Sequence, residues 1–453
     1  TIIELSPHKV AVRLRSKQFN DTLFRRFEFW NLEHDLLDTS FVAMYRSLYE
    51  FAGASSRRKN LLLGIEAPRQ SPPSDIPLAA ELTDEQQHIL RQAIAAPDYF
   101  LLWGPPGTGK TSMMLKHLVS YLLHHTSENI LLLAYTNRAV DEMCEAVESI
   151  GADIRQHYFR IGSRYATHPD FHPQLLDALI ENVATRRDLK ALIDSRRIVL
   201  ATVASIGGKP EILQLKSFAR VIIDEASQIL EPMLAGLLPR FERFILIGDH
   251  QQLPAVVGQS PDASRVGDAA LQSIGLHNLR NSLFERLFRL CIQNDYRWAF
   301  AQLSRQGRMH RDIMGFPNEF FYQNTLHILP DDTPGALRQT AAPAFDANAA
   351  RSGLESVIAL RRVLFLSTLT DESGAAQKTN RHEAVLIADL VGAFRRLYEG
   401  RPLSIGVITP YRAQIARIRA ELESRQIQPE ELTIDTVERY QGGARDVILI
   451  SLC

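Results

Sequence analysis

The sequence predicts an α/β fold: two units with parallel sheets covered by helices, preceded by a small β-rich and helical module. Three observations carry this. Between residues 76 and 290, short apolar runs at 99–103, 130–134, 198–201, 221–223 and 244–247 alternate with stretches of helical spacing. The alternation returns between 291 and 453, with runs at 363–366, 405–408, 433–435 and 447–451. Strands that alternate with helices, each strand a continuous apolar run, belong to parallel sheets buried on both faces. The third observation is a glycine-rich turn at 104–111, set between the first such strand and a helical stretch over 112–123.

Residues 1–75 follow other rules. Positions 10–15 alternate apolar and basic, ending in Arg13 and Arg15, as a half-exposed strand does. Phe41, Tyr45, Leu48 and Phe51 lie at helical spacing, and Ser71-Pro72-Pro73-Ser74-Asp75 reads as a linker. A stretch rich in Ala, Pro and Gly over 333–356 predicts a loop. The resulting division is 1–75, 76–290 and 291–453, in keeping with about 150 residues per domain.

Composition narrows the function. The formal net charge of −1 leaves no bulk basicity, so any nucleic-acid site has to be a local stripe. Arg57-Arg58-Lys59, with Arg13 and Arg15, makes the N-terminal module a candidate for separating or gripping a strand, though a solvated basic face is the more ordinary reading of those charges. Three cysteines, Cys144, Cys291 and Cys453, with no C-x-x-C pair, argue against a zinc ribbon, an iron–sulfur cluster or a disulfide framework. No apolar run reaches the length of a membrane span, and the first residues are not a signal peptide. The expectation is a cytoplasmic protein, or a nuclear one in a eukaryote, with no membrane partner. Both ends run through strand-like patterns, as in a piece of a longer chain.

The chemistry centres on Gly104-Pro105-Pro106-Gly107-Thr108-Gly109-Lys110-Thr111. Glycines let a backbone curl its N–H groups onto phosphate oxygens, and the helix N-terminus adds partial positive charge. Lys110 is placed to reach the β- and γ-phosphates, and the Thr111 hydroxyl to hold Mg²⁺. These residues predict binding of ATP or another nucleoside triphosphate. Val221-Ile222-Ile223 ends in Asp224 and Glu225. Triphosphate hydrolysis needs one acid beside Mg²⁺, which suits Asp224, and a second to deprotonate water, which suits Glu225. Gln252, at the tip of the run that ends Gly248-Asp249-His250-Gln251-Gln252-Leu253-Pro254, can donate and accept at a γ-phosphate. No N-K-x-D tetrad for guanine is present, which counts against a GTPase switch.

The ordered set is longer still. It runs Leu82-x-x-x-Gln86, the glycine-rich turn, Tyr135-Thr136-Asn137-Arg138, Ala201-Thr202, Asp224-Glu225-Ala226-Ser227 and the Gln252 segment. It continues with Gln306-Gly307-Arg308-Met309-His310, Thr409-Pro410-Tyr411-Arg412 and Thr436-Val437-Glu438-Arg439-Tyr440-Gln441-Gly442. This order resembles the superfamily 1B helicases, in the branch that holds the nonsense-mediated-decay helicase and the flap-processing nuclease-helicase. Trp30-x-Leu32-Glu33-x-Asp35 and Met44-Tyr45-Arg46 are similar, more weakly, to the region before the motor in the nuclease-helicase.

The resemblance implies two RecA-like P-loop domains, the second incomplete, behind a barrel- or stalk-like accessory module. It implies Gln86 on the adenine edge, Gly442 among the nucleotide contacts, and Arg308 as a cation on the γ-phosphate. It implies Thr136, Asn137, Thr202, Pro254, Thr409, Tyr411 and Thr436 along a single-stranded track, DNA favoured over RNA, with 5′-to-3′ polarity. Short hydroxyls suit such a track because they bond phosphates without reading sequence. Three departures stand out. Gly307 replaces an aromatic that stacks on adenine in many relatives, Ala444 replaces a ribose-binding glutamate, and the family's last arginine motif would follow residue 453. The expected function is an ATP-dependent helicase or translocase. The alternative is a nucleotide-gated clamp that binds or remodels nucleic acid without unwinding it. No acidic and lysine cluster for a nuclease is visible.

Overall fold

The structure, a computed structural model, describes residues 2–6, 9–12, 22, 40–73, 76–181, 183–333, 335–341, 350, 352–369, 378–398, 403–440 and 443–453. Arg13, Arg15, Trp30, Leu32, Glu33, Asp35, Gln441 and Gly442 lie outside them. The chain divides into two compact units, Thr1–Val42 and Ala43–Cys453. In the first, β1 (Ile2–Ser6) pairs antiparallel with β2 (Lys9–Val12), Leu5 opposite Val10.

The second unit is built on a seven-stranded sheet whose ladders are all parallel. Its strands are β3 (Tyr99–Trp103), β4 (Ile130–Ala134), β5 (Tyr158–Ile161), β6 (Ile198–Thr202), β7 (Arg220–Ile223), β8 (Arg243–Gly248) and β9 (Phe300–Gln302). The order is β5-β6-β4-β7-β8-β3-β9. Successive side chains point to opposite faces, so each apolar run feeds two cores. Leu101, Leu133, Val199 and Val221 pack on one face against Leu61 and Leu62 of helix Ser56–Leu63 and Phe284 and Leu287 of helix Leu283–Gln293. Phe100, Leu132, Leu200 and Ile222 pack on the other against Leu90 of helix Asp84–Ala95, Leu118 of helix Lys116–His125 and Val140 of helix Asn137–Glu148.

A parallel pair, β10 (Arg305–Gln306) with β11 (His327–Ile328), follows. A second parallel sheet then joins β12 (Ile405–Thr409), β13 (Thr433–Thr436) and β14 (Val447–Ile450) in the order β13-β12-β14. Helices Arg381–Leu397 and Arg412–Ser424 cover it through Val391, Ile418 and Leu422. The Arg138 Nη1 donates to the Arg439 carbonyl at 3.1 Å, bridging the two α/β layers. Among the described residues no helix is long and apolar enough to cross a membrane.

Four expectations change. The first sheet reaches past residue 290, because β9 pairs with β3, Leu101 opposite Phe300. Residues 43–73 belong with the large unit, since Leu61 and Leu62 are buried in its core. Positions 363–366 form no strand: Val363 and Phe365 are exposed, Phe365 to 83%. The expected loop contains helix Gly353–Leu360, capped by the Ser352 hydroxyl on the Glu355 N–H.

Polar anchors fasten residues 56–70 to the sheet. Asp98, fully buried just before β3, accepts the Arg57 guanidinium at 2.9 Å, the Arg69 guanidinium at 2.9 Å and the Arg69 N–H at 2.8 Å. Burial alone would raise its carboxyl; the bonds from Arg69 and Arg57 outweigh that and hold it below the ordinary value. Arg286, also buried, pairs with Glu231 and donates to the carbonyls of Leu62, Leu63 and Ile274. Replacing Asp98 by Ala leaves the Arg69 N–H unpaired, and we expect a loss of about 2 kcal/mol in urea unfolding at pH 7. A depressed carboxylate stabilises the fold above its unfolded value and stops doing so as pH falls through the folded one. The gap between variant and wild type should therefore narrow as pH falls below the ordinary aspartate value of about 3.9.

Candidate active site

Parallel pairing brings the carboxyl ends of all seven strands to one edge, and the candidate residues leave from there. The Gly104–Thr111 turn follows β3, Asp224-Glu225 follows β7, Gln252 follows β8, and Arg308 lies just beyond β9 and β10. Gly104 is required because a Cβ there would overlap the Lys110 side chain. Gly107 adopts φ +78°, and a Cβ on it would lie 2.5 Å from the Arg308 Cβ. The Gly307 N–H donates to the Gly107 carbonyl at 2.9 Å, so the Arg308 segment docks directly on the turn. Arg308 is exposed, and among the described residues it has no carboxylate partner.

After the turn the chain winds one π-helical stretch, Lys110–Leu115, with the Met114 N–H reaching back to the Gly109 carbonyl at 2.9 Å. The first amides of a helix have no partner within it and suit phosphate oxygens. Lys110 Nζ lies 3.4 Å from Glu225 Oε1. Burial pulls the Lys110 ammonium down, but Glu225, Asp249 and Asp224 outweigh it and raise its pKa. Glu225 has φ +51°, a left-handed conformation that costs a non-glycine residue on the order of 1 kcal/mol. Its N–H bonds the Asp224 carboxylate at 2.9 Å, and its own carboxylate accepts from Gln228 at 3.0 Å.

Asp224 and Thr111 fit a divalent cation. The Thr111 hydroxyl donates to Asp224 Oδ2 at 2.7 Å, so the two oxygens converge. Asp224 is 2% exposed, and burial followed by the Glu225 charge pushes its carboxyl up to about 6, against Lys110. A buried carboxylate so destabilised gains from a cation.

Gln86 closes a capping box. Thr83 accepts the Gln86 N–H, the Gln86 Oε1 accepts the Thr83 N–H at 3.1 Å, and the Gln86 Nε2 reaches the Thr108 carbonyl at 3.4 Å. The side chain proposed to read the base thus touches the phosphate turn. Gln252 donates to Asp249 Oδ2 at 2.7 Å. Pro105, Pro106 and Thr108 complete the turn, the Thr108 hydroxyl donating to the Pro105 carbonyl at 2.7 Å.

The expected track residues also sit at carboxyl ends. Thr136 caps helix Asn137–Glu148 and is exposed, and Pro254 is exposed beyond Gln252. Asn137 is held by Arg160, a buried arginine that also pairs with Asp141. Thr202 is buried, and its hydroxyl caps the Ser205 N–H. Thr409 is buried at the end of β12, Thr436 at the end of β13, and the Tyr411 ring lies 5.3 Å from Lys378 Nζ. The Arg138–Arg439 bond joins the helix that follows Thr136 to the segment that follows Thr436. Sequence reading assigned no role to Asp249 or Arg160; Trp103 and Tyr322, which donate to Asp249, lie 146 and 73 residues away.

Two family models, each described as an AAA domain, match this chain, one over residues 81–190 and 180–260 and the other over 279–453. The chain is 31% identical over 440 residues to the DNA replication ATP-dependent helicase/nuclease JHS1 of Arabidopsis thaliana, covering 94% of this chain and 30% of that protein. It is 28% identical over 469 residues to the DNA replication ATP-dependent helicase/nuclease DNA2 of Gallus gallus, covering 99% of this chain and 41% of that protein. The chain belongs to the superfamily 1B helicases. It spans well under half the length of these curated relatives. Within this superfamily 1B chain, Glu225→Gln keeps the shape but cannot accept a proton. We expect the full-length variant to bind nucleotide with wild-type affinity and to lose at least about 10²-fold in turnover. Fluorescent-nucleotide titration beside a phosphate-release assay checks both halves.

Proposed function

We propose that this chain is the motor of an ATP-dependent DNA helicase or translocase that moves 5′ to 3′ on single-stranded DNA. One observation carries the reading: the phosphate turn, the Asp224-Glu225 pair, Gln252 and the docked Arg308 segment converge on one edge. The curated relatives, named as DNA replication helicase/nucleases, support DNA as the strand. A nuclear or cytoplasmic location accords with that reading.

Catalysis follows from the pairs already present. Lys110 holds Glu225 until triphosphate arrives and draws the ammonium onto its own oxygens. Glu225, released, accepts the proton of the attacking water. Gln252 leaves Asp249 for the γ-phosphate, and Arg308 adds a bidentate cation from the segment docked on Gly107. Thr111 and Asp224 would hold Mg²⁺, which when bound neutralises phosphate charge. The strand would lie across Thr136, Asn137, Thr202, Pro254, Thr409, Tyr411 and Thr436, and Gly442 would contribute to the nucleotide side.

The decisive experiment is ATP hydrolysis by the full-length protein with single-stranded DNA, with single-stranded RNA and with neither. Stimulation by DNA alone and strand displacement from a 5′ tail are expected. ATP-linked DNA affinity without displacement would favour a clamp instead.

Two variants probe the details. Thr136→Asp preserves a side-chain cap, since aspartate caps helices as well as threonine, while adding negative charge to the track. Oligonucleotide affinity by fluorescence anisotropy should fall about ten-fold, with a steeper loss at low salt and no change in nucleotide affinity. Gly307 has no side chain to stack on a base, and Ala444 is exposed with none to bond a ribose. ATP should therefore be preferred over GTP only modestly, and Gln86→Ala should abolish the preference. A tyrosine at 307 would meet Leu329 Cδ1 at 2.8 Å. Gly307→Tyr together with Leu329→Ala should tighten ATP binding by about 1 kcal/mol, read by competition against a fluorescent nucleotide.

A further inference from the structure

Asp249 is fully buried at the end of β8, and both of its oxygens are spoken for. Oδ1 accepts the Trp103 indole N–H at 2.8 Å and the Gln251 N–H at 3.1 Å. Oδ2 accepts two donors, the Gln252 amide at 2.7 Å and the Tyr322 hydroxyl at 2.7 Å. Gln252 and Tyr322 therefore share one oxygen. Tyr322 is 3% exposed, so its hydroxyl has no solvent to fall back on.

Tyr322 ends the same piece of chain that carries Arg308. Gln306 holds the loop by accepting the N–H groups of Arg308 at 2.9 Å and Met309 at 2.7 Å. His310 caps helix Arg311–Phe321, and Tyr322 follows directly. Asn318 pins the far end by exchanging two hydrogen bonds with Leu326, and β11 returns to pair with β10. Residues 305–328 are thus tied at both ends, with Arg308 near one end and Tyr322 near the other.

We propose that Tyr322 is a positioning residue for γ-phosphate cleavage, setting the Arg308 segment against Gln252 through the shared Asp249 oxygen. The proposal rests on the reading that Gln252 and Arg308 act at the γ-phosphate. When the Gln252 amide turns to phosphate, Oδ2 loses one of its two donors. A buried carboxylate short of a donor holds the remaining one more tightly. Occupation of the γ-phosphate position by Gln252 then strengthens the hold on Tyr322 and seats Arg308. The two γ-phosphate contacts, 56 residues apart in sequence, engage together.

The test uses the full-length protein with saturating single-stranded DNA. Tyr322→Phe removes one hydroxyl and keeps the ring. It should lower kcat about ten-fold while KM for ATP and the affinity for a non-hydrolysable analogue stay within about two-fold. Gln252→Ala and Arg308→Ala should each lower kcat. Combining Tyr322→Phe with Arg308→Ala should cost little beyond Arg308→Ala alone, because the tyrosine acts by seating the arginine. If Gln252→Ala and Arg308→Ala depress kcat but Tyr322→Phe only lowers the melting temperature, Tyr322 is structural and the proposal fails while the functional reading stands. Fully multiplicative effects also overturn it. An unchanged kcat in Gln252→Ala overturns both. Should Tyr322→Phe not fold, Asp249→Asn carries the same test, with a loss confined to kcat expected and a wild-type kcat fatal.

Discussion

The parallel register of β3 between β8 and β9 is the constraint on which the site depends. Trp103 lies opposite both Gly248 and Gln302, so three strands end level with one another. In a parallel sheet every strand points the same way, and each loop that follows a strand tip opens on the same edge. The phosphate turn, the Gln252 loop and the segment leading to Arg308 are adjacent for that reason alone. An antiparallel β8 would send Gln252 to the opposite end of the sheet. The two apolar faces hold the register, because a one-residue slip would exchange the sides that Leu101 and Leu102 occupy.

Charge is handled inside this frame by pairing. Lys110 with Glu225, Thr111 with Asp224 and Gln252 with Asp249 each give a buried or half-buried polar group a partner. The same logic operates away from the site, where Asp98, Arg160 and Arg286 are buried beside groups of opposite charge.

Much of the frame was readable in the residues, and the physical reason is burial on both faces. Runs such as Leu131-Leu132-Leu133 admit no polar neighbour, and their spacing between helical stretches has few other solutions. Phe300-Ala301-Gln302 escaped because three residues with a polar end carry no periodicity. The run at 363–366 misled for the converse reason: four apolar residues satisfy a strand pattern whether or not a partner strand exists. Motif residues such as Lys110 and Asp224 stood out by type and order, and the structure brings them to one sheet edge. The sharing of one Asp249 oxygen by Gln252 and Tyr322 left no trace in spacing, since the tyrosine lies 73 residues on.

The capping box at Gln86 has a consequence for base choice. The Thr83 N–H requires an oxygen, and the Thr108 carbonyl requires an N–H, so together they fix which end of the Gln86 amide is which. Each end retains a second valence, one lone pair and one hydrogen, in that fixed sense. Adenine offers an amino donor beside a ring acceptor, the complement of such an amide, whereas guanine offers two acceptors. A glutamine free to rotate would accommodate either purine at the price of turning over. Here rotation would forfeit the bond from the Thr83 N–H and the bond to the Thr108 carbonyl. Under the proposed reading, in which Gln86 meets the base, the helix terminus would act as a polarity lock that ties discrimination between purines to the capping box.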